Sequence, residues 1–424
     1  MTKLITQYRG LKKEIYILFV GKLVTAMGSF VWPMLTFFLT TKLGLSDGTA
    51  TVLIATATVL SLPAALLGGK LADRFSRKYI IIIFDCLTVA LYIIAAILPT
   101  SYITAVLIFL AGLFQTIESP AYDALNADFS TSEQREKAYS LSYLGFNLGF
   151  IIGAAVSGLL FQKYIWLAFL LNALAVFTST VLIWIFVHMK NAVGADEDTA
   201  SEVYNEYEMP MDEKTPVTRI LKERRVVLFG LLLGCFAWLP SNVAGILLPL
   251  QLKEAMGEYG ATVYGYLSSL NGATVIVCTP VFSMLLRKMT ELPKAALGLL
   301  LFCGGLSLYS VGTALATLFL GMFVFSVGEV ISVLGANPYA SRRIPASHRG
   351  RVGGITSVMS TVFSALTQYL IGGVLMLTQS NYRLIWIVII SCGVLAAVLY
   401  ALLYRADKKA FPLLYEKRAE DGAE

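Results

Sequence analysis

Runs of apolar residues, each long enough to cross a bilayer, alternate with short polar joints along most of the chain. A membrane helix needs about 20 such residues, because lipid cannot satisfy backbone N–H and C=O groups and the helix must do so itself. Windows of this kind fall at 15–41, 49–68, 79–99, 102–127, 138–161 and 164–187. They resume at 226–250, 261–286, 295–312, 314–340, 352–377 and 383–404. The pattern predicts an all-α membrane protein with twelve transmembrane helices in two six-helix bundles. The first bundle occupies 1–188, a polar linker 189–224, and the second bundle with its tail 225–424. Within the acid-rich linker region the stretch TRILKERR predicts a short surface helix. The first apolar segment is too long for a cleavable signal and lacks a small-residue cleavage pattern, so it is the first span.

The two sets of six are related. At an offset of 211, Lys42 falls on Lys253, Ala50-Thr51-Val52 on Ala261-Thr262-Val263, Glu118 on Glu329 and Asn126 on Asn337. After a three-residue insertion the offset becomes 214, and Arg135 meets Arg349, Lys137 meets Arg351 and Gly158 meets Gly372. One register held over so long a stretch marks the halves as diverged copies. Duplications of this kind characterise transporters in which two bundles move around a central site.

Composition narrows the class. With 57% hydrophobic and 14% charged residues, the chain has too little polar surface for a soluble protein. Its net charge of +6 comes from topology. Basic residues gather at the N-terminus, in alternate loops and in the tail, leaving only Lys42, Lys163, Lys253 and Arg383 on the other side. That bias places both termini in the cytoplasm and implies no nucleic-acid partner. The five cysteines lie in predicted spans without a CxxC pair, and the two histidines are far apart. No disulfide, metal or cofactor is expected. No convergent nucleophile, base or metal constellation indicates an enzyme.

Charged residues inside spans are rare and need a reason. Glu118 and Glu329 occupy equivalent places in the fourth span of each half. Glu118 lies 16 and Glu329 15 residues from the outer end, roughly 23–24 Å along a helix and near mid-membrane. Gln115, Tyr122 and Asn126 extend a polar stripe from Glu118, and Asn337 repeats the pattern after Glu329. Two matched stripes are expected to face a shared cavity, where a carboxyl group can bind and release protons. Lys22 and Asp85, also within spans, are expected to form a structural pair. Phe30, Trp32, Phe37, Phe114, Trp238, Phe323 and Phe325, with Asn242, are the candidate cavity walls. Pro33 and Pro240 are placed to break the first and seventh spans.

GGKLADRFSRK (68–78), joining the second and third spans, resembles the signature loop of the major facilitator superfamily. The resemblance extends over the whole chain except the linker and termini. It implies a conformational latch built from Gly69, Asp73, Arg74 and Arg77, with Asp73 set against Arg135 or the helix beginning near Gly350. Ser76 stands where the family has glycine, and the second-half counterpart LLRKMTELPK is degenerate. Within the superfamily the drug:proton antiporter branch is the nearest likeness, through the glycine ladder LGFNLGFIIGAAVSGLL (144–160). Ala154 replaces the expected proline, and the fourth span lacks that branch's arginine, which shifts proton coupling onto the intramembrane acids. The expected function is therefore proton-coupled efflux of lipophilic or cationic compounds by a monomer in the plasma or inner membrane, energised by the proton gradient. Import of a small nutrient or peptide through Asn242, Gln251, Asn271 and Gln368, and flipping of a lipid, remain the alternatives.

Overall fold

The computed structural model describes residues 8–189, 216–344, 346–378, 381–412 and 414–415. The acidic part of the linker lies outside the described residues. Among those described, the elements are helices: α1 (Lys13–Met27), α2 (Asp47–Arg74), α3 (Arg77–Ile97), α4 (Tyr102–Asp128), α5 (Ser132–Phe161) and α6 (Ile165–Phe186). A short α7 (Val217–Glu223) leads into α8 (Arg225–Ala237), α9 (Leu239–Met256), α10 (Tyr259–Leu285), α11 (Glu291–Val311), α12 (Leu315–Ser341), α13 (Ala346–Leu377) and α14 (Tyr382–Ala410). Eleven stretches are long and apolar enough to cross a membrane, α8 and α9 together forming one of them. The first of the twelve expected spans falls outside that set because it is broken.

Both expected breaks are present. The chain leaves α1 at Gly28 and resumes helix at Leu35–Phe37, running on as a π-helical turn over Phe38–Lys42. Pro33 lies in the gap, where its ring and missing N–H oppose a continuous ladder. In the seventh span, Trp238 caps α8, and α9 restarts at Leu239 with Pro240 in its first turn. There the absent N–H would have been unpaired anyway.

Two compact units result: Met1–Ser201 with Pro249–Ala273, and Glu202–Leu248 with Thr274–Glu424. In the first, α1 packs on α5 and α6, and α3 on α4 and α6. The glycine ladder explains the close approach of α5. A Cβ on Gly149 would stand 2.3 Å from the Leu23 carbonyl oxygen, and one on Gly153 2.7 Å from that of Ala26. Gly158 instead faces Ala261, whose carbonyl oxygen would lie 2.7 Å from such a Cβ. The ladder is thus a packing device.

Segment 249–273 is also tied to the rest of the first unit by charge. Lys42 Nζ lies 2.7 Å from Glu258 Oε1, and Lys253 Nζ 3.2 Å from Asp47 Oδ1. Lys253 is the repeat partner of Lys42, and at the same offset Asp47 falls on Glu258. The two ion pairs are therefore reciprocal across the duplication. Each is partly exposed, so each contributes only about 0–1 kcal/mol. Lys253→Asp or Asp47→Lys alone is expected to lower the melting temperature slightly, and the joint exchange to restore it in a thermal-stability assay by size-exclusion chromatography.

The second unit holds α11 and α12 together backbone to backbone. A Cβ on Gly298 would stand 2.2 Å from Ser332 N, one on Gly305 2.5 Å from Phe325 N, and one on Gly328 2.2 Å from Phe302 N. Facing backbone cannot yield as a side chain can. Gly328→Val is therefore expected to lose about 3 kcal/mol or more, read as loss of monodisperse protein on extraction. Away from such contacts the spans keep apolar side chains exposed, for example Leu66 at 61% and Trp184 at 64%, a surface for lipid to cover.

Candidate functional site

The charged groups within the first unit converge. Asp85 on α3 is 5% exposed and accepts a hydrogen bond from Thr180 Oγ1 of α6 at 2.6 Å. The Glu118 carboxyl group of α4 lies beside it, close enough for the two to interact directly. Two carboxylates offer only acceptors, so a hydrogen bond between them would need one proton on the pair. Lys22 of α1 places Nζ 4.9 Å from the centroid of the Tyr122 ring, and its charge acts on Asp85, Glu118 and the exposed Asp123. With one shared proton, Lys22, Asp85 and Glu118 sum to neutrality. Without it they carry one negative charge.

This arrangement differs from the expected Lys22–Asp85 pair. Among the described residues those two form no ion pair within 4 Å. Lys22 occupies the face of Tyr122, and Asp85 is held by Thr180, with Glu118 beside it. The polar stripe on α4 is divided as well. Gln115 accepts from Trp32 Nε1 at 3.4 Å, Tyr122 donates to the Leu18 carbonyl at 2.6 Å, and Asn126 donates to Ser142 Oγ at 3.0 Å. A four-residue step overshoots a helical turn by about 40°, so Asn126 is turned some 80° from Glu118. It is buried against α5, and Tyr122 is buried against α1. Only Glu118 and Gln115 of the stripe remain partly accessible.

The aromatic candidates divide similarly. Trp32 is 38% exposed and lies over bare α4 backbone, where a Cβ on Gly112 would come within 2.2 Å of its Cζ2. Phe30 and Phe37 are buried, and Phe114 packs against Phe84 with centroids 5.7 Å apart. In the second unit, Phe325 is buried against Phe302 at 4.0 Å, so it belongs to the core, whereas Phe323 is exposed. Trp238 lines a cavity of about 480 Å³ together with Cys235, Thr356, Ser357, Ser360 and Tyr400. Such a volume suits a small organic ligand. Cys235 Sγ lies 3.3 Å from Ser360 Oγ, and no described lining residue is acidic or basic. Glu329 is half-buried in α12 and Asn242 half-buried in α9; neither is among the described lining residues. Asn337 is helical, and its side chain lies outside the described ones. Asp85 has no acidic counterpart at the repeat offset, where Ala296 stands. The carboxyl pair belongs to the first half alone.

Around the signature loop, Asp73 is exposed and has no ion-pair partner among the described residues. Gly69 meets open space, and Arg74 rests over the ring of Phe75 at 5.7 Å. Arg77 forms an ion pair with Asp128 at the end of α4 and donates to the Ala124 carbonyl at 3.3 Å. Arg135 is half-buried at the start of α5.

One constellation escaped the sequence altogether. Arg343, fully buried, forks onto Asp407 with Nε–Oδ1 2.8 Å and Nη2–Oδ2 2.6 Å. Tyr415 donates to the same carboxylate at 2.5 Å, and Glu291 receives Arg342 and, at 3.5 Å, the same Nη2 of Arg343. Burial opposes the Arg343 charge, but the hydrogen bonds it donates to Asp407 and the opposite charge there more than restore it, so the guanidinium stays ionised. Burial and the bond to Asp407 push the Tyr415 hydroxyl up, so it stays protonated as a donor. The double-arginine stretch was the available signal, but as sequence it reads as one more topological anchor.

Two bundles of membrane helices, one of them holding Asp85 and Glu118 within its spans, have the architecture of a membrane transporter. The sequence model of the Major Facilitator Superfamily matches residues 17–368 and again 242–419, and the chain belongs to that family. It is 22% identical to a Na(+), Li(+), K(+)/H(+) antiporter of Planococcus maritimus, over 78% of this chain and 82% of that protein. It is 24% identical to the multidrug resistance protein MdtH of Yersinia enterocolitica, over 78% of each chain. Among solved structures, a peptide transporter POT bound to sulfate superposes with a TM-score of 0.74 at 18% identity, covering 96% of both chains. The nucleoside transporter NupG gives 0.70 at 11% identity, covering 93% of this chain and 100% of its own. These likenesses define the fold.

Proposed function

We propose that the protein exports lipophilic, often cationic compounds in exchange for protons by alternating access. The observation that carries this reading is the Asp85–Glu118 pair. Its shared proton neutralises the site together with Lys22, and a cation arriving nearby would take over that balance. Cargo and proton then compete for one site, which is enough to couple their movements in opposite directions. The similarity to MdtH and to a cation/proton antiporter supports this reading. In this account the chain works as a monomer in the plasma or inner membrane with both termini cytoplasmic, and the proton gradient is its energy source. Asp73 and Arg77 belong to the cytoplasmic latch, and Glu329 is a further proton or cation site in the second half.

A second reading is proton-coupled import of a small polar solute. It is favoured by the hydroxyl groups of Thr356, Ser357, Ser360 and Tyr400 in the second-unit cavity. Purified protein in liposomes separates the two. Efflux of a fluorescent lipophilic cation accelerated by an opposing pH gradient supports export. Gradient-driven uptake of a dipeptide or nucleoside without cation movement supports import. Neither movement, with lipid crossing between leaflets, would make the protein a flippase.

A further inference from the structure

The interface between α3 and α6 holds polar atoms that the carboxyl pair does not use. Thr88 Oγ1, Tyr92 Oη and both Asn172 side-chain atoms are buried with no hydrogen bond of normal geometry, although Tyr92 stands close to Asn172 and Trp32. Thr88 and Tyr92 are 0% exposed and Asn172 1%. Buried polar groups are paired as a rule, with protein or with ordered water. These atoms also lie in a row. Asp85, Thr88 and Tyr92 share one face of α3, and Thr180, Val176 and Asn172 share one face of α6, which packs against it. One end of the row is the Thr180–Asp85 bond of 2.6 Å. At the other, Tyr92 stands beside Asn172 and Trp32, and the partly exposed Trp32 is bonded to Gln115. The rise from Asp85 to Tyr92 is about 10 Å, a gap that about three hydrogen-bonded waters would bridge.

We propose that Thr88, Tyr92 and Asn172 hold a file of ordered water that carries protons between the Trp32–Gln115 end of the first unit and the Asp85–Glu118 pair. The inference rests on the reading of that pair as the proton site. It adds a route that leaves the cargo cavity free, because the file runs between two helices of one bundle. Asp85 and Glu118 accept or release the proton at one end, with the charges of Lys22 and Asp123 nearby. Hydroxyl and amide groups relay protons through water without holding a fixed charge.

The test uses the full chain in liposomes containing a pH dye, with a lipophilic cation gradient as the driving force. Thr88→Val and Asn172→Leu are each expected to slow proton movement about tenfold. Cation affinity should stay within about twofold of the unaltered protein, since neither residue touches cargo. X-ray-driven hydroxyl-radical labelling of the unaltered protein should modify Tyr92 despite its burial, and less so in Asn172→Leu. Unslowed proton movement in both variants, while Glu118→Gln abolishes it, overturns the water file and leaves the carboxyl pair standing. If the unaltered protein moves no protons, or Glu118→Gln still moves them, the proton-site reading fails and the file falls with it. Absence of Tyr92 labelling, or a sodium-dependent rise in melting temperature that Asn172→Leu removes, overturns the file directly.

Discussion

Glu118→Gln is expected to bind a lipophilic cation with an affinity that no longer depends on pH. On the proposed mechanism, each cation bound by the unaltered protein displaces a proton held between Asp85 and Glu118. Raising the pH therefore removes a competitor and tightens binding, by up to about tenfold per pH unit while one proton is exchanged. The amide of glutamine can still donate to Asp85, so the geometry survives, but the exchangeable proton is gone. The pH-gradient-driven component of efflux should vanish with it. Asp85→Asn should act alike, because its amide oxygen can still accept from Thr180 Oγ1, now 2.6 Å from the carboxylate, while its NH2 faces Glu118. Equilibrium binding across a pH series measures both variants. A retained pH slope in Glu118→Gln would place proton exchange elsewhere in the chain.

Arg343→Met is expected to be the most destabilising single change outside the helix–helix contacts. It leaves Asp407 buried at 0% exposure with its charge uncompensated, a loss of about 3–5 kcal/mol. Tyr415 would still donate to it, which does not replace a forked guanidinium. Removing both charges as Arg343→Met with Asp407→Leu should recover most of the loss, because a paired burial is replaced by an apolar one of similar volume. Thermal unfolding of the two single variants and the double variant in detergent reads the coupling directly. Additive losses would mean that the two residues stabilise the unit independently.

The twelve spans and the duplication were legible because lipid imposes long apolar windows and because ion-pair and packing positions kept their register between halves. Lys42 and Lys253 were visible as repeat partners; that each finds the acid of the other copy's repeat needed coordinates. Glycines at near-helical spacing announced close packing on α5, and the neighbours they admit are backbone atoms of α1. Pairings across helices were harder. Asp85 reads as a partner for Lys22 when only charge signs are known, yet the packing of α3 against α4 and α6 delivers Glu118 and Thr180 to it. The stripe from Glu118 to Asn126 looks continuous as a row of fours, but the drift of an α-helix turns its far end toward another neighbour. Arg343 and Asp407 are 64 residues apart, and no local pattern joins them.

The most direct measurement is proton release when purified protein in weakly buffered detergent solution binds a lipophilic cation. About one proton per bound cation is expected for the unaltered chain and none for Glu118→Gln. Cation binding to the unaltered chain without proton release would contradict the shared proton of Asp85 and Glu118 as the coupling element.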